Sequence, residues 1–254
     1  MTSLELATAK TQVAALLIED LQFAYPAQTP LISNLSLSIA QGQKVGLIGH
    51  NGSGKTTLFH LISGILYPTQ GEISAFGRPI EAGQFHPDVG LVFQSPNDQL
   101  FTTSVRDDVA FGPQNMDLQP DEIEKRVQSA FAATGTSHLA DRVPQNLSGG
   151  EKSMVAIAAV LAMLPRLVLY DEPSANLDLR ARRRLIEFLQ QSTETILLAA
   201  HDLEMIREVC DRVILLNGGQ ILADGHPDRV MCHQDLMEDS GLEVPYSLRG
   251  RSLS

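Results

Sequence analysis

The chain has 254 residues, 43% of them hydrophobic and 19% charged, a globular composition large enough for one sizeable domain or two small ones. A formal net charge of −11 argues against a general nucleic-acid binder, which needs a basic face, although it does not exclude a local basic strip; nucleic acid is not an expected partner. The longest apolar run, residues 155–164, is too short to span a bilayer, the N-terminus shows no secretion pattern, and Cys210 and Cys232 show no metal spacing. The expectation is a cytosolic chain whose membrane role, if any, needs a separate partner.

Residues 1–14 have weak pattern and read as an N-terminal arm. Strand-like text follows at 15–18 and 21–25, then a proline-containing turn. Residues 35–39 alternate apolar and polar, as a half-buried antiparallel strand does. Gln41-Gly42-Gln43 turns into the apolar run 44–48, which feeds a glycine-rich loop and a helix over 55–63. Further strands are expected at 72–75 and 89–93. From Asp107 to Leu164 strand signal is weak. Pro120-Asp121-Glu122 opens a helix to about residue 133, and Ser148-Gly149-Gly150-Glu151 opens another to about residue 164. A buried strand over 166–170 ends at Asp171-Glu172. A helix over 179–191, a strand over 195–200, a helix over 202–210 and a hairpin across Asn217-Gly218-Gly219 complete the pattern. Arg180, Arg182, Arg183 and Arg184 fall at helical spacing and read as a solvated face. The order implies an α/β core around a mainly parallel sheet, with an antiparallel β layer and an inserted helical subdomain over about 97–165. The core spans 15–225 and the tail 226–254.

The loop reads Gly49-His50-Asn51-Gly52-Ser53-Gly54-Lys55-Thr56-Thr57. Its glycines let backbone N–H groups approach anionic oxygens, and the helix behind it adds its positive end. Lys55 can reach β- and γ-phosphates, Thr56 can ligate Mg²⁺, and Thr57 is placed toward the α-phosphate. The loop alone does not separate a kinase, a GTPase, a helicase and a transport ATPase.

Asp171 and Glu172 end an apolar strand at the carboxyl edge of the sheet, where ligands bind. Triphosphate hydrolysis needs a metal held near the phosphates and a water placed in line. Asp171 is assigned to the metal and Glu172 to the water. Gln94 ends another strand and can coordinate Mg²⁺ and orient the water; a solvated strand-end glutamine is the alternative. His201 can donate to the γ-phosphate, although an isolated histidine at such a place is more often structural. Leu147-Ser148-Gly149-Gly150-Glu151 is a second anion-friendly helix start. One nucleotide needs only one such start. Two half-sites on one chain suggest head-to-tail pairing, each nucleotide held between the Gly49 loop of one protomer and the Ser148 helix of its partner.

Over about residues 16–225 the chain resembles the ATP-binding subunit of ATP-binding cassette (ABC) transporters, a P-loop NTPase family. The resemblance rests on the Gly49–Thr56 loop, Gln94, the Leu147–Glu151 signature, Asp171-Glu172, Ser174-Ala175-Asn176-Leu177-Asp178 and His201, in that order. It implies ATP and Mg²⁺ as cofactors, with Thr56, Gln94 and Asp171 on the metal and Glu172, His201 and Gln94 in catalysis. It also implies Tyr25 stacked on adenine and Asp178 at the dimer interface. Two departures stand out. Ser153 and Met154 follow Lys152 where relatives carry basic residues, and Tyr170 stands where an aliphatic residue is commoner, so its hydroxyl needs a buried partner.

Phe93-Gln94-Ser95-Pro96-Asn97-Asp98-Gln99-Leu100-Phe101 and the run from Val105 to Pro113 are similar to the energy-coupling-factor importers of cobalt, nickel or vitamins. The implied function is an ATPase at the cytoplasmic face of the membrane that energises uptake through a separate permease. Phe101 and Phe111 would line a groove near residues 94–113 for a permease helix; the alternative makes them core residues. The complete motif set favours a homodimer over a heterodimer. The competing readings are another ABC importer or exporter, or a soluble ABC protein of DNA repair or translation.

Overall fold

A computed structural model describes residues 13–175 and 177–249. Most of the expected N-terminal arm, the end of the tail and Asn176 lie outside the described residues. Two sheets sandwich one helix. The first is antiparallel in the order β2-β1-β4-β5, with β1 Leu16–Phe23, β2 Ile32–Ile39, β4 Gln70–Ala75 and β5 Arg78–Pro79. The runs at 15–18 and 21–25 join into the single strand β1, because register shifts after Ile18 and Leu21 absorb the break between them.

The second sheet has the order β10-β9-β3-β8-β7-β6. Its strands are β3 Lys44–Ile48, β6 Val89–Val92, β7 Leu167–Asp171, β8 Thr195–Ala199, β9 Arg212–Asn217 and β10 Gln220–Gly225. Only β10 runs antiparallel, closing a hairpin on β9. Strands β3, β7 and β8 are apolar almost throughout because both faces are covered. Helix α1, Lys55–Ile62, buries Leu58, Phe59, Leu61 and Ile62 between the two sheets. On the opposite face pack α5, Leu179–Gln191, and α6, Leu203–Val209. The mixed α/β architecture with a mainly parallel sheet is the one expected.

The helical part has its own core. Helices α2 Val105–Gln114, α3 Pro120–Thr134 and α4 Gly149–Leu161 meet through Val105, Val109, Val127, Phe131, Val155 and Ala158. Helix α2 has no counterpart in the sequence reading. Gly112 and Pro113 weaken its pattern, yet Ser104 caps it and Val105 and Val109 are fully buried. Past β10 the chain forms α7 Pro227–Met231 and α8 Gln234–Asp239, which cover the second core with Met231 and Met237.

The arginine strip is not simply solvated. Arg182 is clamped to Asp202 by two guanidinium hydrogen bonds, which hold the Asp202 carboxyl below its usual range although burial opposes that. Arg183 donates to Glu208 at 2.6 Å.

Candidate functional site

Strand β3 delivers the chain into the glycine loop, and the loop geometry admits little but glycine at its two ends. A Cβ at Gly49 would lie 2.3 Å from the Leu216 carbonyl oxygen. Gly54, just before α1, sits at φ 104°, a conformation L-residues avoid. Lys55 is buried, and its ammonium donates to the carbonyls of Gly49 at 2.8 Å and His50 at 3.2 Å. Burial lowers its pKa, and the charges of Glu172 and Asp171 oppose that.

Parallel strands β7 and β8 end side by side next to this loop, so Glu172 and His201 face it in one cleft and Asp171 meets it through Thr56 and Lys55. Asp171 is 3% exposed; burial pushes its carboxyl above the usual range, while a hydrogen bond with the Thr56 side chain and the charges of His60 and Lys55 pull the other way. Its Oδ1 is buried without a hydrogen-bond partner. Glu172 takes a left-handed φ of 47°, rare for a non-glycine residue. Its N–H donates to the Ala199 carbonyl at 2.9 Å, and its Oε2 accepts from the His201 backbone N–H at 2.9 Å. The His201 Nε2 lies 3.4 Å from Oε1, which is buried and makes no hydrogen bond.

Glu172 and His201 line one cleft of about 220 Å³ with Leu31, Asn51, Gly52, Gly54, Lys55, Thr56, Thr57 and Gln94, and Asp171 lies buried behind that lining. Tyr25 stands beside the cleft, its hydroxyl 3.3 Å from the Thr57 hydroxyl and its ring edge-on to Phe23 at 4.9 Å. His50 bridges outward, with Nε2 3.2 Å from the Asn217 Oδ1. Ser53 is buried under the loop with an unpartnered hydroxyl. Leu31 was not singled out in the sequence. It lies in the proline turn before β2, and only the pairing of the two sheets brings it over the loop.

Ser148, Gly150, Glu151 and Asp178 do not reach this cleft. They line a second cavity of about 680 Å³ that shares no residue with the first. Gly149 is exposed beside them. Ser148 caps α4 in a reciprocal box: its Oγ accepts from the Glu151 N–H at 3.3 Å, while Glu151 accepts from the Ser148 N–H at 2.8 Å and hydroxyl at 2.7 Å. Those bonds hold the Glu151 carboxyl below its usual range. Asp178 caps α5 by accepting from the Ala181 N–H at 2.8 Å.

Phe101 and Phe111 are 60% and 47% exposed and pack edge to face at 4.9 Å, so the alternative that made them core residues is overturned. Phe131 fills the helical core instead. Ser153 is buried behind the signature, and Tyr170 is fully buried, with its phenol raised well above the usual range by desolvation. Among the described residues no helix is long and apolar enough to cross a membrane.

A family model described as "ABC transporter" matches residues 32–175. A putative ABC transporter ATP-binding protein of Synechocystis sp. is 55% identical over 92% of this chain and 83% of its own length. The energy-coupling factor transporter ATP-binding protein EcfA of Methanothermobacter thermautotrophicus is 38% identical over 90% of this chain and 76% of its own. Among solved structures, cbiO1 of Clostridium perfringens, described as part of the ABC transporter complex cbiONQ, aligns with a TM-score of 0.79 and 35% identity, covering 91% of this chain and 96% of that one.

Proposed function

The chain belongs to the ABC transporter family as an ATP-binding subunit whose ATPase activity is coupled to transport, and we propose that it energises an importer of the energy-coupling-factor kind. The carrying observation is the separation of the two half-sites. The Lys55 cleft and the Ser148 cavity share no residue, so neither carries both glycine-rich helix starts. A homodimer paired head to tail brings each Ser148 and Asp178 to the partner's cleft and completes both.

In that assembly the loop N–H groups and Lys55 hold the phosphates, and Tyr25 stacks on the adenine. The donor set fits Mg²⁺: the Thr56 hydroxyl, the Gln94 amide and the buried Asp171 Oδ1, which has no hydrogen-bond partner, are hard oxygen ligands. The metal would supply charge neutralisation at the β- and γ-oxygens. Glu172 keeps one carboxylate oxygen on the His201 N–H and turns the other, unpartnered, to a water in line with the γ-phosphorus. Gln94 orients that water, and His201 donates to the γ-phosphate. ATP closes the dimer, cleavage to ADP and phosphate reopens it, and the movement passes to membrane subunits.

The exposed pair Phe101 and Phe111, beside the Gln94 loop, supports a permease-docking groove near residues 94–113. The protein is then peripheral to the membrane at its cytoplasmic face. A transition metal such as cobalt or nickel, or a vitamin, is the proposed solute class. The names of EcfA and of the cbiONQ component support that class of system.

Purified mixed dimers test the pairing. A dimer of one Lys55→Ala chain and one Ser148→Ala chain retains one intact seam and should hydrolyse ATP. A dimer of the double variant with the parent chain retains none and should hydrolyse ATP no faster than the Ser148→Ala homodimer. The reverse pattern would place both groups of a site on one chain and end the head-to-tail reading.

A further inference from the structure

The segment between Gln94 and Phe101 does more than connect the cleft to the helical part. After β6 it makes one turn at Pro96–Asp98 and then enters α2 through Ser104. Two of its side chains reach α4, the helix capped by Ser148. Gln99 accepts from the Phe93 N–H through Oε1 at 3.2 Å and donates through Nε2 to the Ala156 carbonyl at 2.8 Å. Asn97 accepts from the Lys152 ammonium at 2.9 Å. Phe93 immediately precedes Gln94, and both Ala156 and Lys152 lie on α4. At the far end the buried Asp108 accepts from the N–H groups of Phe101 and Thr102, both at 3.0 Å. The strap that carries Gln94 at one end and Phe101 at the other is therefore fixed to α4 in its middle and to α2 at its end.

Gln99 is the member whose chemistry is hard to replace. It is half-buried, and the strap asks one side chain to accept from one backbone group and donate to another. The Asn97–Lys152 bond is exposed and worth little by comparison.

We propose that Gln99 is a positioning residue for ATP hydrolysis: it makes the Gln94 loop and the Ser148 helix move as one body, so that nucleotide sensed by one protomer's Gln94 sets the placement of its own Ser148 on the partner's nucleotide. This inference rests on the roles proposed above for Gln94 and Ser148. Coupling then travels through two hydrogen bonds from the cleft to the seam.

The test is a double-mutant cycle on the full-length protein. Gln94→Ala and Ser148→Ala are combined in the parent, in Gln99→Met and in Gln99→Glu, and steady-state ATPase kinetics are measured. Methionine fills the space without either bond. Glutamate keeps the bond to the Phe93 N–H, and so the loop, but cannot donate to the Ala156 carbonyl. In the parent the two alanine substitutions should be non-additive in kcat. In both Gln99 variants they should become additive, and kcat should fall roughly three- to tenfold while nucleotide affinity by direct titration changes less than about twofold. Where the methionine variant does not fold, the glutamate variant carries the test. Non-additivity that survives in both variants overturns the strap, even if kcat drops. Additivity already present in the parent overturns the roles given to Gln94 and Ser148, and takes the strap with it.

Discussion

The Lys55 cleft and the Ser148 surface are both helix starts rich in glycine, yet they are built oppositely. Lys55, Asp171 and Glu172 are 7%, 3% and 7% exposed; the charges of Glu172 and Asp171 oppose the desolvation of Lys55, and the charge of Lys55 opposes that of Asp171. Ser148, Gly149 and Asp178 are exposed, and Ser148 and Asp178 spend their side chains on local caps. A buried charge is costly unless matched, and in the cleft Asp171 Oδ1 and Glu172 Oε1 are buried without a hydrogen-bond partner that a ligand could supply. An exposed capped helix costs nothing to leave empty. Such an asymmetry suits a pair of half-sites in which one side binds first and the other closes on what is bound.

Substitutions in the cleft should give the largest effects. Glu172→Gln keeps an acceptor for the His201 N–H and the volume of the side chain, but loses the carboxylate proposed to activate the water. Turnover should fall about 10²- to 10⁴-fold with nucleotide binding retained, as expected for a positioned base. Steady-state hydrolysis beside a binding titration measures both. Parental turnover in this variant would remove Glu172 from the chemistry.

Lys55→Ala comes next. It removes a charge-assisted contact to phosphate, a loss of about 1.5–3 kcal/mol, or roughly ten- to a hundredfold in affinity. It also withdraws the cation that Asp171 and Glu172 face. Calorimetric titration with a non-hydrolysable ATP analogue checks it, and unchanged affinity would mean the ammonium stays on the Gly49 and His50 carbonyls when nucleotide is bound.

Most of the cleft was legible because its chemistry is local. The glycine loop, Lys55 and Thr56 lie within nine consecutive residues, and Asp171-Glu172 and His201 announce themselves at the ends of apolar strands. What stayed hidden came from pairing at long range. Leu31 reaches the cleft only because the antiparallel sheet packs over α1. The Arg182–Asp202 clamp joins two helices twenty residues apart, so the strip looked solvated when read along one helix. Helix α2 was missed because Gly112 and Pro113 argue against a helix, while the burial of Val105 and Val109 against α3 and α4 overrides that propensity. The tail helices α7 and α8 are five and six residues long, too short to leave a period, and their burial comes from the core they cover.

On the exposed side the effects should be smaller and should split between stability and rate. Ser148→Ala deletes an N-cap and frees Glu151, which costs about 1 kcal/mol of folding stability. Hydrolysis should also slow, while binding of nucleotide to the Lys55 cleft stays parental. Thermal melts and titrations separate the two. A loss of nucleotide affinity as large as that of Lys55→Ala would show that Ser148 serves the cleft of its own chain.

The smallest effect on the isolated protein should come from the aromatic pair. Phe101 and Phe111 touch each other and solvent, so replacing both by alanine forfeits an edge-to-face contact of about 0.5–1.5 kcal/mol and little else. The melting temperature should move by about 2–4 °C or less, and basal ATPase activity should remain parental. Co-purification with the membrane subunits should nonetheless fall at least about tenfold, because two exposed aromatic anchors side by side are what a docking helix would bury. If co-purification is undiminished, the permease grips another face of the helical part. If the melting temperature instead collapses, the pair is structural in spite of its exposure. The expected pattern, weak on the protein alone and strong in its assembly, is the opposite of that for Glu172 and Lys55, whose loss is felt without any partner.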